Sequence, residues 1–165
     1  MNHRHKPLFI DRDGVINRSV PAPEYVTRVE DFEFLPGTFE ALTRLAQAGY
    51  DFYVITNQAG IGRKQTTLEE VATLHDYMSK EFEKNGTPIL GIYMCPHKNE
   101  DMCECRKPKP GLLLQAMKEH KLDPKDVIFV GDRETDMEAA RGAGVRGVLI
   151  SSEVGLSAAL PMLLD

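Results

Sequence analysis

No apolar run in this chain approaches the length that crosses a bilayer, which excludes a transmembrane helix. The opening residues, Met1 to Lys6, lead into a strand-like segment rather than the apolar core of a signal peptide, so a cytoplasmic protein is expected. Low-complexity tracts and internal repeats are lacking too, and 42% hydrophobic with 27% charged residues is the composition of a globular chain. Positive charge is in short supply. A formal charge of −5 and unclustered aromatic residues argue against sequence-independent nucleic-acid binding, which needs a basic face and stacking platforms. Cysteine is scarce, three in all, and an odd number without an export signal suits a disulfide framework poorly. At 165 residues the chain is expected to form one domain over 1–165 and to act as a monomer on a small molecule, with no nucleic-acid or membrane partner.

Against these absences stands a strong alternation of short apolar runs. Pro7 to Ile10, Phe52 to Ile55, Ile89 to Met94, Val127 to Val130 and Val145 to Ile150 predict strands. Each is nearly uninterrupted, as befits a parallel sheet buried on both faces, and helical patterns lie between most of them. The expected helices are Thr38 to Ala48 with Gly49 as terminator, Thr67 to Lys84 ended by Asn85-Gly86, Pro110 to His120, Glu134 to Arg141, and a weaker Gly155 to Leu163. Thr67 followed by Glu70 has the form of a capping box. The fold class is therefore α/β: a Rossmann-like parallel sheet flanked by helices. Residues 18–34 and 95–110 follow neither period and are expected as long functional loops.

Four strand ends carry chemistry. Leu8 to Ile10 deliver Asp11, Arg12, Asp13 and Gly14 to the carboxyl end of the first strand, where open α/β sheets bind ligands. One carboxylate there can attack phosphorus while a second handles the leaving group's proton, although two aspartates before a glycine are also a common polar turn. The second strand ends in Thr56, Asn57 and Gln58 before Gly60; a hydroxyl beside backbone N–H groups can hold phosphate oxygens, or simply open a helix. Arg106, Lys107 and Lys109 precede a helix, as a cation for a transferring phosphoryl group or as a solvated basic loop. Gly131-Asp132-Arg133-Glu134-Thr135-Asp136 closes the fourth strand with oxygen ligands suited to a hard divalent cation, though Asp132 could equally be a helix N-cap. Cys95 and His97, followed by Cys103 and Cys105, form a Cys₃His set with the spacing of a structural zinc site. His3, His5, His75 and His120 are expected as surface or helix residues without a catalytic role.

In this order, the motifs Asp11 to Asn17, Thr56, Lys107 and Gly131 to Asp136 resemble those of the haloacid dehalogenase-like phosphohydrolases over nearly the whole chain. The resemblance implies that Asp11 is a nucleophile forming an aspartyl phosphate and Asp13 a general acid and base. It implies Mg²⁺ on the Asp11 side chain, the Asp13 main-chain carbonyl and Asp132, with Asp136 supporting that metal from behind. Thr56 and Lys107 would bind the phosphoryl group. Cys-Pro-His and Cys-x-Cys-Arg-Lys-Pro further resemble the subgroup that acts on heptose 1,7-bisphosphate or histidinol phosphate and lacks a large cap domain. Substrate selection would then fall to residues 17–29, to residues 60–66 with Arg63 and Lys64, and to the structural zinc loop 95–105. Asn17, Asn57, Arg63, Arg106 and Arg133 are expected to face the substrate. The heptose bisphosphate is preferred over histidinol phosphate; a nucleic-acid 3′-phosphatase and a non-catalytic zinc-stabilised binding module are the remote alternatives.

Overall fold

The structure is a computed structural model that describes residues 5–21 and 23–164; His3 lies outside them. Five strands, β1 (Lys6–Ile10), β2 (Tyr50–Asn57), β3 (Ile89–Cys95), β4 (Ile128–Gly131) and β5 (Arg146–Leu149), form a parallel sheet in the order β3-β2-β1-β4-β5. Around it lie α1 (Thr38–Gln47), α2 (Ala59–Gly62), α3 (Leu68–Lys84), α4 (Gly111–His120), α5 (Glu134–Ala143) and α6 (Leu160–Leu163). Among the described residues no helix is long and apolar enough to cross a membrane.

The period-two rule of a strand divides the apolar residues between two cores. Leu8, Ile10, Phe52, Val54 and Val130 face the layer that holds Leu42, Leu45, Leu74, Met78 and Phe82 of α1 and α3. Phe9, Tyr53, Ile55 and Phe129 face Leu113, Ala116, Ala139 and Ala140 of α4 and α5. With both faces covered, β1 and β4 are buried throughout their centres, which explains their lack of polar alternation.

Some boundaries differ from expectation for local reasons. β2 extends to Tyr50 and Asn57 because Lys6 pairs with Tyr50 at one end and Cys95 with Asn57 at the other. Cys95 is consequently the last residue of a strand, not the first of a loop. α2 is a single turn that the sequence pattern did not announce. The capping box at α3 is half made: the Thr67 hydroxyl accepts from the Glu70 N–H at 3.1 Å, while the Glu70 carboxylate accepts from Thr66 instead. The weak C-terminal helix divides into a 3₁₀ turn, Leu156–Ala159, and α6. His5 is on the surface and pairs with Asp51, and His120 ends α4 against the Tyr53 ring. His75 belongs to α3 as expected but faces inward, because its position on that helix continues the apolar stripe of Val71, Leu74 and Met78.

Candidate active site

The parallel sheet order brings the carboxyl ends of β1, β2 and β4 side by side, and the expected residues converge there. Lys107 Nζ lies 3.0 Å from Asp11 Oδ1 and 2.7 Å from Asp136 Oδ1, with Lys107, Asp11 and Asp136 all buried. Its ammonium also donates to the Ile55 carbonyl and sits over the Phe129 ring. Asp136 is on the first turn of α5, and its Oδ2 accepts from the Asp132 and Arg133 N–H groups. A carboxylate at that position benefits from the helix N-terminus. Gly14 has φ +87°, and a Cβ there would lie 2.2 Å from Asp132 Oδ2; glycine is what lets β4 bring Asp132 against the β1 turn.

Around Asp13 the structure shows more than the motif conveyed. Asp13 Oδ1 accepts from Arg12 Nη2 at 2.9 Å and Asn17 Nδ2 at 3.0 Å, and Oδ2 accepts from Gln58 Nε2 at 3.0 Å. Gln58 also donates to the Thr56 hydroxyl at 2.9 Å. Asn57 clamps the lysine segment, accepting from the Lys107 N–H and donating to its carbonyl. Arg12 and Gln58 carried no sequence signal beyond their place inside the motifs.

These contacts lie at a cleft of about 260 Å³ lined by Asp11, Asp13, Asn57, Gln58, Arg106, Lys107, Arg133 and Asp136, with Ser19, Val20 and Tyr25 of the preceding loop across from them. Arg106 Nη1 is buried without a hydrogen-bond partner. Three expected contacts fall elsewhere. Asn17 is buried behind Asp13 and holds it, Thr56 is buried beneath Gln58, and Arg63 turns to Glu100 of the cysteine loop at 3.7 Å.

The charges are unbalanced. Asp11, Asp132 and Asp136 bring three carboxylates within 4.8 Å of one another against the single ammonium of Lys107. Burial, and then the neighbouring carboxylates, push the Asp11 pKa well above its ordinary value despite Lys107. Burial and Asp136 raise Asp132 in the same way. At Asp13 burial works in that direction too, but Arg12 and the Asn17 and Gln58 amides outweigh it and hold the pKa below the ordinary value. Asp132 Oδ1 is buried with no hydrogen-bond partner. Excess negative charge with a free buried oxygen fits a divalent cation bound by oxygen ligands.

A second donor cluster flanks the first. Cys95 Sγ lies 3.6 Å from Cys103 Sγ, 3.0 Å from Cys105 Sγ and 3.4 Å from His97 Nδ1, which is 3.3 Å from Cys105 Sγ. All three cysteines are free. Tetrahedral zinc with bonds of about 2.0–2.3 Å separates its donors by roughly 3.3–3.8 Å; three of these separations fall in that range and the Cys95–Cys105 pair is shorter, so the donor set fits zinc with a small opening of that pair. The loop has further ties of its own: Gly62 N–H donates to the Pro96 carbonyl, Lys109 Nζ to the Cys103 carbonyl, and a Cβ on Gly111 would strike the Glu104 carbonyl at 2.3 Å.

A buried carboxylate paired with a buried lysine at the carboxyl rim of this sheet, beside a cluster of acids, is an arrangement suited to phosphoryl transfer. The chain belongs to the haloacid dehalogenase-like family, and it is a phosphatase. The HAD-hydrolase-like family model matches residues 104–162. Over 147 residues the chain is 44% identical to the D-glycero-beta-D-manno-heptose-1,7-bisphosphate 7-phosphatase of Helicobacter pylori, covering 88% of this chain and 83% of that protein. The corresponding alpha enzyme of Campylobacter jejuni is 44% identical, over 90% of this chain and 83% of that one. A solved structure of D,D-heptose 1,7-bisphosphate phosphatase from B. bronchiseptica, complexed with magnesium and phosphate, superposes with a TM-score of 0.83 at 34% identity, covering 92% of this chain and 82% of that chain.

Proposed function

We propose that this phosphatase removes the 7-phosphate of D-glycero-D-manno-heptose 1,7-bisphosphate through an aspartyl phosphate on Asp11. The observation that carries the reading is the Asp11–Lys107–Asp136 contact at the base of the cleft. An Asp11 oxygen attacks phosphorus as the bond to the sugar oxygen breaks; Asp13, which takes up a proton as the negative charge of the phosphate binds beside it, gives that proton to the leaving oxygen. Asp13 then takes a proton from the water that attacks the phosphoenzyme, which frees inorganic phosphate and returns Asp11 as a carboxylate. Lys107 offsets the repulsion between an anionic nucleophile and an anionic phosphate. Asp11, Asp132 and the Asp13 carbonyl are the ligands proposed for Mg²⁺, with Asp136 holding Lys107 and the Asp132 backbone behind them. When bound, the ion neutralises charge on the phosphoryl oxygens.

The substrate class rests on the family likeness and on cations at the cleft. Arg106, with its unpartnered nitrogen, and Arg133 suit a second anionic group on the same molecule. Cys95, His97, Cys103 and Cys105 are proposed to hold a structural Zn²⁺ that fixes the loop delivering Arg106 and Lys107. The test is phosphate release in the presence of Mg²⁺ from heptose 1,7-bisphosphate and from histidinol phosphate, side by side. A higher kcat/KM on the bisphosphate is expected, with Asp11→Asn folded but inert. A preference for histidinol phosphate overturns the substrate; an active Asp11→Asn overturns the nucleophile.

A further inference from the structure

Arg12 is one of the largest wholly buried side chains in the protein, with 1% of its surface exposed. Its backbone belongs to the turn: the Arg12 carbonyl accepts from Val15, Ile16 and Asn17, and its N–H donates to Asp11 Oδ1. Arg12 borders the cleft beside Asp13, and its buried guanidinium reaches from there to His75 on α3. The guanidinium has two polar partners. Nη2 donates to Asp13 Oδ1 at 2.9 Å, and Nη1 lies 3.1 Å from His75 Nε2. The Phe32 ring covers the guanidinium with its centroid 5.7 Å away, and Nε has no hydrogen-bond partner.

A guanidinium only donates, so His75 Nε2 must accept, and the imidazole is the neutral form with its proton on Nδ1. The two bonds leave opposite ends of one rigid planar fork. Holding Nη1 therefore fixes the direction in which Nη2 points. Without an acceptor at position 75, a buried N–H is left unmade, and the guanidinium gains by turning toward another acceptor and away from Asp13. Asn17 and Gln58 would then hold the carboxylate with neutral amides alone.

We propose that His75 is a positioning residue for the reaction: through Arg12 it holds the Asp13 carboxyl group in place for proton transfer to the leaving oxygen. The proposal rests on Asp13 being the general acid. α3 then contributes to catalysis from the layer behind the sheet, although none of its residues lies on the rim where the motif residues meet.

The experiment compares kcat/KM on two substrates. Heptose 1,7-bisphosphate releases an alkoxide that must be protonated, whereas p-nitrophenyl phosphate releases an anion stable without a proton. kcat/KM reports the steps up to leaving-group departure, so water activation does not enter it. In His75→Leu it should fall about tenfold on the bisphosphate, a modest part of the 10²–10⁴ that a general acid supplies, and change little on the aryl phosphate. His75→Gln, which keeps an acceptor, should restore it. In an Asp13→Asn background the loss from His75→Leu should vanish. The ratio between substrates does not depend on the folded fraction, so poor folding of one variant leaves the outcome readable. Equal losses on both substrates, or a loss that persists with Asn at position 13, overturns the role of His75. Asp13→Asn at the wild-type rate on the bisphosphate overturns instead the acid assignment beneath it.

Discussion

Acid sensitivity offers a quantitative test of the buried imidazole. His75 is 8% exposed, and burial first, then the positive charge of Arg12, lower its pKa from 6.5 to about 3, with Asp13 opposing weakly. In the unfolded chain the same ring titrates near 6.5. Because the folded value is the lower one, the unfolded state binds the extra proton first as pH falls. The stability contribution is fully present above the unfolded pKa and is lost progressively from about pH 6.5 down toward pH 3. At about pH 4.5, two units below the unfolded value and still above the folded one, the loss amounts to about 2.7 kcal/mol at 1.36 kcal/mol per unit. Other ionisable groups also contribute to the acid dependence of stability, so the wild type alone does not isolate the effect. His75→Gln cancels them. Urea unfolding of both proteins at about pH 7.5 and pH 4.5 should show the stability of the wild type, measured relative to the variant, falling by about 2–3 kcal/mol between the two conditions. A relative stability that does not move with pH would refute the buried neutral imidazole, and with it the acceptor that Arg12 requires.

Three further outcomes follow from the site. Lys107→Met leaves Asp11 and Asp136 buried without their cation, which should cost about 3–5 kcal/mol in metal-free protein near neutral pH and abolish phosphatase activity. Urea midpoints with and without Mg²⁺, and phosphate release, check both; undiminished metal-free stability would contradict the ion pairs. Gly14→Ala meets Asp132 at 2.2 Å in a left-handed conformation that itself costs about 1–2 kcal/mol. Activity and magnesium dependence should suffer more than thermal stability, and a fully active variant would show that Asp132 need not occupy its observed place. Cys105→Ser should lower zinc content by elemental analysis and weaken the loop that presents Lys107, so its melting temperature and kcat/KM fall together; unchanged values of both would remove the structural role of the metal.

Much of the architecture, and which polar residues gather at one rim, was legible in the sequence. Uninterrupted runs such as Leu8 to Ile10 and Ile128 to Val130, spaced by helical patterns, suit a parallel sheet buried on both faces, and such a sheet sets the polar residues at their carboxyl ends on one rim. Asp11, Lys107, Asp132 and Asp136 were legible as neighbours because each follows or faces a strand end in order along the chain. Cys95, His97, Cys103 and Cys105 were legible too, their spacing being short enough to survive any fold. Only the tertiary structure decided what each polar side chain faces. Asn17 and Thr56 sit on the expected motifs yet turn inward to hold Asp13 and Gln58, and Arg63 turns to Glu100. His75 and Arg12 are 63 residues apart and carry no shared pattern. Their meeting depends on how α3 lies against β1, a distance and an angle set by the apolar side chains between the layers. Local periodicity says which face of a helix is buried; it does not say which buried atom will be found there.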